Sequence, residues 1–219
     1  MMVSWKDSLF GYFQPRLFIV LFLGFCSGLP FGMLVDPWNF WLSESGINRA
    51  TIGLLSWITL TYSFKAIWSP FIDRFRLPVL SNLLGQRRSW LVSSQFLVAF
   101  ALLGMAFSDP NESFGILVIF ALTVSFSSAT QDICVDAMRI ELVSEQELGE
   151  ATAMYQGGWR IAFLISQVAT FFIASLFDWS AAYIAAAFLM IIIIFLSVTK
   201  VPEPTRVLRD YISIVNEPV

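Results

Sequence analysis

Six apolar stretches, each long enough to cross a lipid bilayer, leave this chain few choices of solvent or fold. They lie at about Leu17–Trp41, Thr51–Ile72, Ser89–Phe107, Phe114–Val135, Ala151–Phe177 and Trp179–Thr199. A hydrocarbon core ~30 Å thick needs roughly 20 helical residues at 1.5 Å each. No water is available there, so backbone N–H and C=O groups must be satisfied within helices or closed barrels. These runs lack the period-two alternation of barrel strands. The expected fold class is an all-α membrane protein with six transmembrane helices. Composition agrees: the chain is 57% hydrophobic and 13% charged, with mean hydropathy +0.73, against about 25% charged for soluble domains.

The same composition narrows function. A net charge of −3 gives no basic surface for nucleic acid. Histidine is absent, which removes His-assisted nucleophiles and most zinc sites. No Gly-x-Ser-x-Gly elbow occurs either, so neither an enzyme, a cofactor nor a metal site is expected. Cys26 and Cys134 both fall in apolar runs and read as small packing residues. The first apolar run is about twice a signal-peptide core, and no A-x-A-like site follows it. Phe25 before Cys26 also does not fit a lipoprotein site.

Polar joints separate the spans: Ser43-Glu44-Ser45-Gly46, Asp109-Pro110-Asn111-Glu112, and Asp178. Arg139–Glu150 is polar and helix-compatible, and is expected to lie along the membrane surface. Lys6, Arg16, Arg74, Arg76, Arg87, Arg88, Arg139, Lys200, Arg206 and Arg209 fall on one side of the spans, and Arg49 alone on the other. Excess Lys and Arg mark the cytoplasmic side, so both termini are expected there. Residues 1–16 then form a cytoplasmic N-terminus, 17–200 the six-helix unit and 201–219 a cytoplasmic tail.

Lys65 and Arg160 remain inside spans. A charge at mid-bilayer costs at least ~2.5–3.5 kcal/mol and is kept where a partner or a wet cavity receives it. Counting 1.5 Å per residue, Lys65 lies about 10 Å and Arg160 about 13 Å from the inner ends of their helices. Asp132 and Asp136 are one turn apart on the fourth span, on one face. One reading is a cavity with positive excess for an anionic solute, the carboxylates carrying protons. The other is a structural ion pair joining helices two, four and five. The loop Asp73-Arg74-Phe75-Arg76 … Gly85-Gln86-Arg87-Arg88 reads either as an interhelical gating network of Asp73, Arg74, Arg87 and Arg88 or as positive-inside anchoring. Asp36-Pro37 reads either as lining an outer vestibule or as a helix-end residue near water, and the second is expected, with Pro30 and Pro37 loosening the helix. Gly24, Gly28 and Gly32 form a stripe suited to close helix packing, as does Gly157-Gly158. Trp38, Trp41, Trp68, Trp90 and Trp179 read as interfacial belt residues.

That loop resembles the Gly-x-x-x-Asp-Arg-x-Gly-Arg-Arg signature of the major facilitator superfamily, with Ser69 in place of the first glycine and about ten residues inserted between its halves. Within it the chain resembles the AmpG family of muropeptide permeases. The segments are Ser27-Gly28-Leu29-Pro30, Thr51-Ile52-Gly53, Phe64-Lys65-x-x-Trp68-Ser69-Pro70-x-x-Asp73-Arg74, Ser128-Ala129-Thr130-Gln131-Asp132-Ile133-x-x-Asp136-Ala137 and Trp159-Arg160. The fourth is also similar to acetyl-CoA transporters. The resemblance runs from Phe13 to Pro204 and covers the first six of the family's twelve helices. It implies proton-coupled import of anhydro-muropeptides across a bacterial inner membrane during cell-wall recycling. Implied partners are an anionic solute, protons, the bilayer, and a complementary C-terminal half or second copy. An acetyl-CoA or other anion transporter, and a truncated remnant that does not transport, stand as alternatives.

Overall fold

A computed structural model of the protein describes Tyr12 and residues 14–204. Lys6, Arg206, Arg209 and most of the two expected tails lie outside the described residues. Within them every regular element is helical. Chain order is α1 Pro15–Met33, α2 Asp36–Glu44, α3 Arg49–Leu55, α4 Leu60–Phe64, α5 Ser69–Arg74, α6 Leu80–Leu84, α7 Gln86–Ala106, α8 Phe114–Glu141, α9 Leu148–Leu176 and α10 Trp179–Lys200.

All six expected spans are present, but two are interrupted. In the first, α1 stops at Met33 and α2 restarts at Asp36-Pro37. Pro37 brings no N–H and its ring crowds the carbonyl four residues back, that of Met33. Tyr183 of α10 donates its hydroxyl to that carbonyl at 3.3 Å, inside the bundle. Pro30, by contrast, stays within α1. In the second span, residues 49–74, three short α-helices alternate with 3₁₀ turns at Ser56–Thr59 and Lys65–Ile67. Five helices are long and apolar enough to cross a membrane uninterrupted, counting α1 with α2. The sixth is this segmented one. Its hydroxyls compete for its own backbone: Ser56 Oγ donates to the Ile52 carbonyl at 3.0 Å, Thr59 Oγ1 to Ser56 at 3.0 Å, and Thr61 Oγ1 to Ile58.

The expected surface helix over Arg139–Glu150 is a helix junction instead. α8 continues through Arg139 to Glu141, and α9 starts at Leu148. Between them Ser144 and Glu147 form a reciprocal capping box, which ends one helix and starts the next within a few residues.

Packing is tightest between α1 and α9, and between α7 and both α8 and α10. Side chains added at Gly24 and Gly28 would run into the backbone of Tyr155 and Trp159, and one at Gly158 into the carbonyl of Leu21. The glycine stripe therefore lets two backbones touch, as expected of small residues in lipid. Gly157 faces open space. One apolar core joins α1, α2, α7, α8 and α10, and a second lies toward the Arg87 end around Leu17, Leu91 and Met138. Trp38 and Trp41 belong to the first core, 0% and 6% exposed, where a lipid belt was expected. After the break at Met33, α2 turns its aromatic face inward, and Trp41 packs on Tyr183 at 5.0 Å and on Trp179 at 6.2 Å.

Replacing Gly28 by valine is expected to destabilise the chain by about 3 kcal/mol, the cost of overpacking against rigid backbone. Gly157→Ala should leave stability unchanged. Thermal denaturation of the two purified variants checks this, and equal midpoints would refute the close packing.

Candidate functional site

The segmented second span has two buried residues, Ile58 and Ile72, so apolar burial holds it weakly. Polar contacts to α8 hold it instead. Ser125 Oγ meets the Ile58 carbonyl at 2.7 Å and Thr61 Oγ1 at 2.6 Å. Trp68 donates Nε1 to Thr130 Oγ1 at 3.2 Å and stacks on Phe126.

The strongest of these contacts is ionic. Lys65, in the second 3₁₀ turn, places Nζ 2.8 Å from Asp132 Oδ2 and 2.7 Å from Asp136 Oδ2. The spacing of the two aspartates puts both carboxylates on one α8 face, where a single ammonium meets both. The side chains are 27%, 14% and 38% exposed in the order Lys65, Asp132, Asp136, so Asp136 is the least covered by the bundle. Tyr155 of α9 donates its hydroxyl to Asp132 Oδ1 at 3.4 Å. Arg139 lies 3.8 Å from Asp136 and its guanidinium stands 5.0 Å over the Tyr155 ring. Two lysine–arginine cations and two carboxylates therefore cancel within one cluster.

Arg160 sits elsewhere. It is exposed on α9 and enters no ion pair among the described residues. The sequence set it beside Lys65 as a second cation in one cavity; the structure neutralises Lys65 and leaves the free positive charge on Arg160. Its face is defined by Gln156, four residues before, and Gln167, seven after. Gln167 on that face donates Nε2 to Asp36 Oδ2 of α2 at 2.9 Å. Neighbouring Trp159 stacks on Phe163 and touches Phe31 of α1, which meets Tyr62 of α4 edge-on. Arg160 thus flanks an aromatic seam shared by α1, α4 and α9.

A second charge cluster closes one end of the bundle. Arg87, 10% exposed, pairs through Nη1 with Asp73 and through Nη2 with Glu141 at 3.0 Å. Gln86 donates Nε2 to the Asp73 carbonyl at 2.6 Å. Glu203, after α10, accepts the backbone N–H of Arg87 and of Arg88, both at 2.9 Å. That carboxylate satisfies the amino end of α7, where the helix dipole also favours it. Gly85 has φ +89° and lies against the Glu203 side chain, so the turn itself depends on glycine. Arg88 donates to the Val198 carbonyl. Arg74 is exposed, with no ion pair among the described residues. Of the four network residues read from sequence, the structure joins Asp73 with Arg87, sends Arg88 to a backbone carbonyl, and adds Glu141 and Glu203. Glu203 had one sequence signal, a lone acid framed by Pro202 and Pro204 directly after an apolar span. Glu141 and Tyr155 had none, because their partners are distant in sequence.

Comparison with known proteins agrees with this architecture. The Major Facilitator Superfamily model matches residues 16–211. An anhydromuropeptide permease of Escherichia coli K12 is 34% identical over 193 residues, 88% of this chain and 38% of that protein. A putative transporter AmpG 4 of Rickettsia felis is 35% identical over 78% of this chain and 42% of its own length. An uncharacterized protein of Haemophilus influenzae is 33% identical over 88% of this chain and 44% of its own. The chain spans about two-fifths of the length of these relatives, matching their N-terminal half.

Arg87→Met should destabilise the chain by about 3 kcal/mol, because it leaves two partly buried carboxylates facing each other. The triple change that also makes Asp73→Asn and Glu141→Gln should recover part of that loss. Denaturation midpoints of the three-site series check it, and no recovery would refute the bridge.

Proposed function

Because the chain belongs to the major facilitator superfamily, we propose that it forms one wall of a secondary transporter for proton-coupled import of anhydro-muropeptides across a bacterial inner membrane, its termini in the cytoplasm. The observation that carries this reading is the cluster of Lys65, Asp132, Asp136 and Arg139. Its four charges sum to zero. One proton added to a carboxylate makes the sum +1, and an anionic solute is then attracted where before it was not. Proton and anion binding are coupled by that change, each favouring the other equally. Asp136 is the proton carrier, since it is the carboxylate less covered by the bundle; Asp132, more enclosed and backed by Tyr155, stays as the fixed partner of Lys65.

Arg160 supplies the second contact for the solute. It is exposed and free of internal partners, and a guanidinium receives a carboxylate through two parallel hydrogen bonds. The aromatic seam of Trp159, Phe163 and Phe31 gives the sugar rings an apolar surface. The facing wall comes from a complementary six-helix half or a second copy. The Arg87 cluster, at the opposite end of the second span from Arg49, serves as the cytoplasmic gate.

The test is uptake in cells carrying a permease whose first six helices are replaced by this chain. Lys65→Ala and Arg160→Ala should each abolish uptake of labelled anhydro-muropeptide while membrane expression is kept. Asp136→Asn should retain solute exchange but lose the response to a pH gradient, by roughly ten-fold if one protonation sets the coupling. Normal gradient-driven uptake by Asp136→Asn would overturn its role. Preference for acetyl-CoA over muropeptide would replace the solute.

A further inference from the structure

The end of the bundle remote from Arg87 carries a pocket of about 370 Å³ that the transport reading does not use. It lies between α2, the start of α3, and α9, and its walls include Asp36, Asn39, Phe40, Ser43, Arg49 and Phe171. One wall is a packed aromatic block. Phe40 meets Phe171 edge-on at 5.4 Å, and both rest on Trp179 at 6.0 Å. Trp179 is itself tied to Glu44 by a 2.6 Å hydrogen bond.

The charges of this pocket are opposite in sign and do not close on one another. Among the described residues neither Asp36 nor Arg49 enters an ion pair. Asp36 is held by one oxygen, which accepts from Gln167 Nε2 at 2.9 Å; its second oxygen has capacity to spare. Asp36 is also fixed by its backbone, since it opens α2 beside Pro37. Arg49 opens α3, after the Asn48 cap that accepts from the Thr51 N–H. Two opposite charges lining one pocket select by sign. A simple anion meets Asp36, a simple cation meets Arg49, and each pairing carries a repulsion that a dipolar solute avoids. A carboxylate suits the guanidinium fork and an ammonium suits the free carboxylate oxygen. The volume is of the order of small-molecule sites, roughly 300–1,000 Å³, and fits one or two amino-acid residues.

We propose that this pocket binds the zwitterionic end of an amino acid or short peptide, ammonium on Asp36 and carboxylate on Arg49, as an encounter site separate from Lys65. It rests on the pocket alone and stands or falls independently of the transported solute.

The probe is alanyl-alanine, titrated into the purified full chain in phospholipid-free detergent and followed by saturation-transfer NMR. N-acetyl-alanyl-alanine and alanyl-alanine amide, each lacking one charge, should bind about ten-fold more weakly, as expected for loss of one charge-assisted contact. Asp36→Asn should erase the preference over the acetylated peptide, and Arg49→Gln the preference over the amide. Each variant is scored against its own tryptophan fluorescence, so a folding failure of one leaves the other to decide. Equal binding of the three peptides, or no binding to the folded chain, would overturn the site. Stronger competition by glycerophosphoethanolamine than by the peptide would do the same, by assigning the pocket to a lipid headgroup.

Discussion

An ammonium held between two carboxylates decides where the segmented second span can lie. In lipid, helix association gains little from the hydrophobic effect, because acyl chains are as apolar as leucine. Residues 49–74 bury few side chains, so the ion pairs of Lys65 and the hydroxyl contacts of Thr61 and Ser125 hold them on α8. An unpaired Lys65 at that depth would cost several kcal/mol. The segment is therefore attached by interactions whose strength depends on protonation. A change of charge at the cluster is also a change in how firmly the span is held.

The rest of the bundle is built the opposite way. α1 and α9 approach through Gly24, Gly28 and Gly158, so their contact is backbone against backbone. Close van der Waals packing of that kind does not respond to pH. The break between α1 and α2 is likewise satisfied internally, by the Tyr183 hydroxyl. A rigid frame of α1, α7, α8, α9 and α10 thus carries one element interrupted by two 3₁₀ turns, a pattern often found where a helix must bend. Lys65 lies within the second of those turns.

The spans were legible in the sequence because hydropathy over twenty residues reports solvent directly. The pairing of Lys65 with the aspartates was legible as a possibility because a charge in lipid demands a partner. What hydropathy could not report is which face a side chain occupies. Trp38 and Trp41 read as belt residues because aromatic residues near a span end usually are; the kink at Asp36-Pro37 rotates them into the core. Arg160 shares its helix with Tyr155, yet five residues place it well around the cylinder, away from Asp132. The segmentation of the second span leaves its apolar average unchanged, so hydropathy carries no sign of the two 3₁₀ turns. Glu141 and Glu203 became visible only when the fold brought α8 and the end of α10 to Arg87.

The two charge clusters share two elements. The second span contributes Lys65 to one and Asp73 to the other, eight residues or about 12 Å apart along a helical path. α8 contributes Asp132 and Asp136 to the first and Glu141 to the second. The span is therefore pinned to α8 at two levels by opposite logic. At Lys65 the span brings the cation and α8 the acids, so attraction is direct. At Asp73 both elements bring acids, and Arg87 on α7 bridges them. Protonating a carboxylate weakens the first pin but relieves repulsion at the second. The 3₁₀ turn Lys65–Ile67 carries the first pin and interrupts the helical path to the second, so the two pins sit on separate helical segments of the span.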